Sequence, residues 1–104
     1  MATSVDGYKT PSLATDAIVT RNSGRSILLI VRGNEPFKGK YALPGGYIDY
    51  GEDPKEACLR ELMEECSIKG NPNTQELITV AGKPDRHPGK HVISIVYSVE
   101  VPDS

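Results

Sequence analysis

The sequence of 104 residues contains no tryptophan, only one phenylalanine and only two cysteines. Its core must therefore be built mainly from isoleucine, valine and leucine, and a chain of this length buries at most about two-thirds of its unfolded surface. Cys58 and Cys66 on one helix would lie about 12 Å apart along its axis. Because a disulfide requires Cα atoms within about 7 Å, we expect two free thiols and a reducing compartment.

The sequence also lacks an apolar run long enough to span a membrane and an N-terminal signal-peptide pattern. Its formal net charge of −2 gives no general attraction for nucleic acid or for an anionic membrane. Hydrophobic residues make up 38% and charged residues 25%, which is typical of a globular domain. These features predict one cytoplasmic domain over residues 1–104 that binds neither nucleic acid nor a membrane.

Apolar runs separated by turn residues predict a set of strands around one helix. Strands are expected at residues 13–19, 26–31, 75–81 and 92–99. The first two are predicted to form a hairpin with its turn at residues 21–24, and the second is predicted to be buried throughout. Pro44, Gly45 and Gly46 are expected to interrupt regular structure.

One helix is predicted to begin after Asp53 and to end at about Cys66. Asp53 is a suitable N-cap, Pro54 occupies the first helical position, and Glu56 completes a capping-box pattern. At about 100° per residue, four apolar residues share one side of this helix. The side expected to face the core consists of Leu59, Leu62, Met63 and Cys66.

Three glutamates, Glu61, Glu64 and Glu65, fall on the opposite side of the helix and repel one another. Arg60 can reach Glu64, but one cation does not neutralise three carboxylates. Charge runs on a helix usually form a solvated face. The alternative is a site for a hard cation such as Mg²⁺, which prefers oxygen ligands. The spacing alone does not decide between these interpretations.

The surrounding string of residues favours the cation site. Gly46 is followed after five residues by Glu52 and, after seven more, by the segment 60–68. This string resembles the Nudix box, G-x5-E-x7-R-E-U-x-E-E-x-G-U, at every defined position except one, where Ser67 replaces a glycine. Pro44 and the two glycines after it also resemble the Pro-Gly-Gly that precedes this box. The chain is thereby identified as a member of the Nudix family, with a similarity that covers residues 13–101.

The resemblance implies an α+β fold, the Nudix α/β/α sandwich, in which the box helix packs on a mixed sheet. Nudix domains normally continue beyond the point that corresponds to Ser104, so we expect a chain whose C-terminal part is missing. An incomplete sheet would expose apolar surface and an unpaired edge. Formation of a homodimer could cover that surface.

The resemblance also implies roles for the matching residues. Four are expected to bind Mg²⁺, or Mn²⁺ in its place, through the carbonyl of Gly46 and the carboxylates of Glu61, Glu64 and Glu65. Arg60 is expected to orient a glutamate with Glu52 as its partner, and a surface ion pair that contributes little is the alternative. Glu61 and Glu64 are candidates for the catalytic base, whose identity stays open.

Nudix enzymes hydrolyse nucleoside diphosphates linked to a further group, which the box does not specify. Segments 9–18, 35–39 and 84–91 resemble the ADP-ribose pyrophosphatase branch, so we expect cleavage of ADP-ribose to AMP and ribose 5-phosphate. Arg86 is a candidate phosphate contact, with incidental charge in an exposed loop as the alternative. Two other functions stay open, namely hydrolysis of a nucleoside triphosphate and nucleotide binding by a regulatory domain without catalysis.

Overall fold

The computed structural model describes residues 10–21 and 26–102. Within these ranges it contains strands, one α-helix and one 3₁₀ turn. In chain order they are β1 (Ser12–Arg21), β2 (Ser26–Ile27), β3 (Ile30–Val31), β4 (Tyr41–Ala42), β5 (Gly45–Tyr47), α1 (Pro54–Cys66), the 3₁₀ turn Pro72–Thr74, β6 (Glu76–Ala81) and β7 (Val92–Glu100). No helix in the described ranges is long and apolar enough to cross a membrane.

The main sheet is mixed and is organised around β1. This strand pairs in parallel with β7 and antiparallel with both β2 and β5. β7 pairs antiparallel with β6, which forms one edge of the sheet. A second, two-stranded sheet pairs β3 with β4. The predicted α+β class with a mixed sheet is therefore confirmed.

The helix α1 has the predicted boundaries. The carboxylate of Asp53 accepts a hydrogen bond from the backbone N–H of Lys55 at 2.8 Å, and Pro54 is the first helical residue. At the other end Ser67 adopts the left-handed conformation, with φ +55° and ψ +34°, and its N–H donates to the carbonyl of Met63. The box has glycine at this position, where a residue with a side chain is strained.

The helix packs on β1 and β7 through a core made of small and aliphatic side chains together with Tyr97. Six residues form the buried cluster: Ala17, Val19, Cys58, Leu62, Tyr97 and Val99. Leu59 and Cys66 pack against this cluster as predicted, but the prediction for Met63 is wrong because its side chain is 45% exposed. The small residues Ala57 and Cys58 are buried instead, so the buried side of the helix is rotated away from Met63 and toward these two residues. Both cysteines are free thiols, as expected.

Two other predictions require correction. The run 26–31 is not one buried strand, because β2 pairs with β1 whereas β3 pairs with β4 in the other sheet. Ile27 and Val31 are more than half exposed at this transition between sheets. The hairpin of β1 and β2 is confirmed, although residues 22–25 of its turn lie outside the described residues. Gly45 and Gly46 do not interrupt regular structure, because they pair with β1 as part of β5.

Candidate active site

Gly45 and Gly46 bring strand β5 into close contact with β1 and with the helix. A Cβ atom on Gly45 would collide with the backbone carbonyl oxygen of Thr15 and would lie 2.5 Å from a carboxylate oxygen of Asp16. A Cβ atom on Gly46 would lie 2.5 Å from the carboxyl carbon of Glu61. Any larger residue would force these neighbouring groups to shift, so the two glycines let the backbone lie directly against the acidic face of the helix.

Arg60 connects three parts of the site through its guanidinium group. Its Nε and Nη2 donate to the two carboxylate oxygens of Glu52 at 2.7 and 3.0 Å. Its Nη1 donates to Glu61 at 2.9 Å and to Glu64 at 2.8 Å. Its Nη2 also donates to the carbonyl of Tyr47 in β5 at 3.1 Å. The planar guanidinium suits such a bidentate and branched arrangement, and the predicted contact between Arg60 and Glu52 is present.

The ion pair of Arg60 and Glu52 shifts the protonation of both groups. The hydrogen bond from Arg60, followed by the one from the backbone N–H of Asp49, lowers the pKa of Glu52. The hydrogen bonds to Glu52 and then Glu64 raise the pKa of Arg60. The side chain of Glu52 is only 17% exposed and that of Arg60 is 29% exposed. This ion pair is more strongly oriented than a typical exposed ion pair, because two parallel hydrogen bonds fix the plane of the guanidinium.

Glu65 contacts the same backbone segment at Gly45. Its Oε1 accepts a hydrogen bond from the N–H of Gly45 at 2.8 Å. Burial raises the pKa of Glu65, and the nearby charges of Glu61 and Asp16 raise it further. Carboxylates that destabilise one another's charged forms in this way create a local field that favours a cation.

Of the predicted metal-binding residues, Glu61 thus lies against Gly46 and Glu65 against Gly45. Carboxylate and carbonyl oxygens are the donors that Mg²⁺ prefers, so the donor set fits this ion. Among residues 10–21 and 26–102, no three acidic, histidine or cysteine side chains already form a cage for a metal ion. Glu64 and Glu61 instead share the guanidinium of Arg60.

A cleft of about 690 Å³ opens beside this cluster. Gly45, Gly46 and Glu65 line it, and basic residues reach it from two loops. The basic lining residues are Arg32, Lys40 and Arg86. In the described part of the chain, the cleft lining does not include the other predicted site residues, which are Glu52, Arg60, Glu61 and Glu64. The cleft has the size of a small-molecule site, and both acidic and basic side chains line it.

Sequence reasoning missed Asp16, Arg32 and Ser94 as site residues, although all three line the cleft. Burial raises the pKa of Asp16, while a hydrogen bond with Ser94 and the charges of Arg86 and Arg32 oppose that shift. One signal was available for Asp16, since aspartate is depleted in strands and here it interrupts an apolar run. Arg32 and Ser94 carry no such local signal.

The family model of the NUDIX domain matches residues 10–104. The chain therefore belongs to the NUDIX family. The chain is 45% identical over 94 residues to an ADP-ribose pyrophosphatase of Methanocaldococcus jannaschii, an alignment that covers 90% of this chain and 53% of that protein. It is 34% identical over 94 residues to an ADPR-responsive transcriptional repressor of Acinetobacter baylyi, covering 86% of this chain and 37% of the repressor.

Among solved structures, the NUDIX domain of Shewanella oneidensis NrtR complexed with ADP ribose superimposes with a TM-score of 0.83. The sequence identity is 25%, and the match covers 97% of this chain and 67% of that one. The predicted NUDIX fold is thereby confirmed. The chain spans about half the length of the archaeal relative. The roles of the individual site residues in this NUDIX chain stay predictions.

Proposed function

We propose that this chain is a cytoplasmic, Mg²⁺-dependent pyrophosphohydrolase that cleaves ADP-ribose to AMP and ribose 5-phosphate. The observation that carries the proposal is the guanidinium of Arg60, which joins Glu52, Glu61 and Glu64 beside the Gly46 backbone at the edge of a cleft. The similarity to an ADP-ribose pyrophosphatase supports this choice of substrate. The free cysteines are consistent with a reducing compartment.

The residues of the chain divide the task between metal binding and substrate binding. Glu61, Glu64, Glu65 and the carbonyl of Gly46 would hold Mg²⁺, and Mn²⁺ could replace it. When bound, the ion supplies charge stabilisation for the phosphate oxygens and lowers the pKa of a bound water. Glu61 or Glu64 can accept a proton from the attacking water, and Arg60 keeps both carboxylates oriented.

A panel of substrates tests this proposal. Each reaction would contain the chain, Mg²⁺ and one substrate, which is ADP-ribose, another nucleoside diphosphate sugar or a nucleoside triphosphate. The products would be separated by chromatography. We expect AMP and ribose 5-phosphate from ADP-ribose, and no turnover after chelation of the metal. Release of pyrophosphate from a triphosphate, with intact ADP-ribose, would replace this function with that of a nucleoside triphosphate pyrophosphohydrolase.

A regulatory domain that binds ADP-ribose without cleaving it is the second candidate. The similarity to an ADPR-responsive transcriptional repressor favours it, whereas the intact set of glutamates favours catalysis. Calorimetric binding of ADP-ribose in the presence of Mg²⁺, with no AMP formed over hours, would establish the regulatory alternative. We expect AMP formation.

We also propose that the chain forms a homodimer through apolar surface at the edge of the sheet. Strand β6 exposes three apolar side chains by more than half, which are Leu77, Ile78 and Val80. Such an edge is available for pairing with a second strand. Light scattering should give twice the mass of one chain, and a monodisperse monomer would contradict the dimer.

A further inference from the structure

Arg86 is anchored to strand β7 although it belongs to the loop between β6 and β7. Its Nη2 donates to the hydroxyl of Ser94 at 2.9 Å and to the carbonyl of Val92 at 3.2 Å. The hydroxyl of Ser94 also lies beside the carboxylate of Asp16 on the neighbouring strand, close enough to oppose the rise that burial causes in the pKa of that carboxylate. Because a hydroxyl has one donor and two acceptor sites, Ser94 can accept from Arg86 while it donates to Asp16.

The register of the sheet explains why these groups meet. Ser94 pairs with Ala14 in the parallel ladder of β1 and β7, which places it diagonally beside Asp16 on the same face. Ser94 is only 4% exposed, so its hydroxyl is held inside the sheet rather than in solvent. The chain of contacts from Asp16 to Arg86 is thus fixed by two long strands, while Arg86 itself comes from an exposed loop.

The anchor leaves part of the guanidinium available for a ligand. Within residues 10–21 and 26–102, the two hydrogen bonds that the Arg86 side chain donates both use Nη2. A guanidinium carries five N–H donors in a rigid fork that matches phosphate oxygens. Arg86 lines the same cleft as Gly45 and Glu65. Asp16 lies near a second arginine as well, because the charge of Arg32 also acts on it.

We propose that Ser94 and Asp16 are positioning residues that aim the guanidinium of Arg86 at the diphosphate group of a substrate in the cleft. Arg86 is the residue that contacts the substrate, and Ser94 and Asp16 act only through it. This inference rests on the proposed function, since it assigns the phosphate-binding contact of that same cleft. Fixing the guanidinium before binding reduces the entropy lost when the substrate orders it, so the effect should fall on KM rather than on kcat.

The test compares Ser94→Ala with Ser98→Ala in the full chain. Ser98 lies on the same face of β7, four residues further along, and its neighbours in the sheet are Ile18 and Glu76. We expect Ser94→Ala to raise KM for ADP-ribose about threefold to fivefold with kcat within about twofold. Ser98→Ala should leave both constants unchanged.

A double-mutant cycle separates a positioning role from a structural one. Arg86→Gln should raise KM about tenfold. If Ser94 acts through Arg86, Ser94→Ala should have no further effect on KM when it is added to Arg86→Gln. Additive effects would overturn the inference. If Ser94→Ala prevents folding, as judged by circular dichroism, Asp16→Asn takes its place in the same cycle.

Binding measured without turnover distinguishes failure of this inference from failure of the proposed function. Titration calorimetry with ADP-ribose in EDTA should give a Kd that rises about threefold to fivefold in Ser94→Ala and not in Ser98→Ala. Equal Kd values for the two variants would overturn the inference and leave the hydrolase proposal standing. A wild-type chain that binds ADP-ribose but forms no AMP with Mg²⁺ would overturn the proposed hydrolysis, while the Kd values still decide the role of Ser94. A wild-type chain that neither binds nor cleaves ADP-ribose would overturn both.

Discussion

The two walls of the site hold their charged groups in different ways. The helix wall is formed by β5 and α1 and meets the cleft at Gly45, Gly46 and Glu65. Its contacts join residues that are close in sequence, such as Arg60 and Glu64 at i,i+4. The loop wall consists of the loops 32–40 and 82–91, and its contacts join residues far apart, such as Arg86 and, through Ser94, Asp16. The helix wall is therefore encoded by a contiguous motif, whereas the loop wall exists only after the sheet has formed.

The two walls are expected to contribute differently to chemistry and to binding. The helix wall holds carboxylates suited to a divalent cation, so changes there should lower kcat. The loop wall holds cations suited to phosphate, so changes there should raise KM, as proposed for Arg86. A variant of the helix wall that altered only KM would contradict the assignment of this wall to the chemical step.

The largest effect is expected from Glu64→Gln in the helix wall. Loss of a metal-binding carboxylate removes several kcal/mol of transition-state stabilisation, so kcat should fall on the order of a hundredfold or more. The side chain is 52% exposed, so thermal unfolding should be nearly unchanged. Glu56→Gln on the exposed surface of the same helix is the matched control and should keep wild-type activity. Equal activity of the two variants would refute the assignment of Glu64.

A smaller loss of kcat is expected from Glu52→Gln, because Glu52 acts through Arg60. The amide keeps one acceptor and loses the second parallel hydrogen bond, so kcat should fall on the order of tenfold. Asp49→Asn is the control, since that carboxylate is 74% exposed and lies 3.7 Å from Arg60. A similar loss in both variants would indicate that the net charge near Arg60 matters rather than its orientation.

Glu52→Gln also has an expected signature in the dependence of stability on pH. The pKa of Glu52 is lowered in the folded chain relative to its ordinary value of 4.5. The unfolded chain therefore binds this proton first on acidification, and the stabilisation is present above about pH 4.5 and is lost as the pH falls through the folded pKa. Urea unfolding at several pH values should show a shallower acid dependence in the variant, and identical slopes would contradict the lowered pKa.

The two adjacent glycines of the helix wall are expected to respond differently to substitution by alanine. In Gly46→Ala the new Cβ meets the flexible carboxyl end of Glu61, which can move away, so kcat should fall on the order of tenfold with little change in stability. In Gly45→Ala the Cβ meets the backbone of Thr15, which cannot move, so the chain should lose about 1–3 kcal/mol of stability. Kinetics and thermal unfolding of both variants would reveal whether this contrast holds.

The smallest effect is expected from Ser67→Gly, which restores the residue of the Nudix box. Ser67 has φ +55°, and glycine adopts this left-handed conformation without the Cβ penalty. The variant should be about 1 kcal/mol more stable in urea unfolding, with activity within about twofold of wild type. A less stable variant would show that the serine side chain contributes more than its conformation costs.

The helix wall was largely predictable from the sequence because its signals are local. The cap at Asp53, the end of the helix at Cys66 and the pair of Arg60 with Glu52 all follow from short spacings. Met63 was misplaced because periodicity identifies an apolar side but not which part of it meets the sheet.

The loop wall was not predictable, because no local pattern links its parts. Ser94 approaches Asp16 only through the parallel register of β7 with β1, a pairing between strands at opposite ends of the chain. The separation of β2 from β3 was missed for a similar reason, since an apolar run does not reveal that its two halves join different sheets.

The glutamates joined by Arg60 are proposed to bind the divalent cation. Titration of the chain with Mn²⁺, followed by electron paramagnetic resonance of the free ion, tests this without any substrate. We predict that wild type and Glu56→Gln bind Mn²⁺ with the same affinity and that Glu64→Gln binds it on the order of tenfold or more weakly. Equal affinity of Glu64→Gln and wild type would show that Glu64 does not bind the ion.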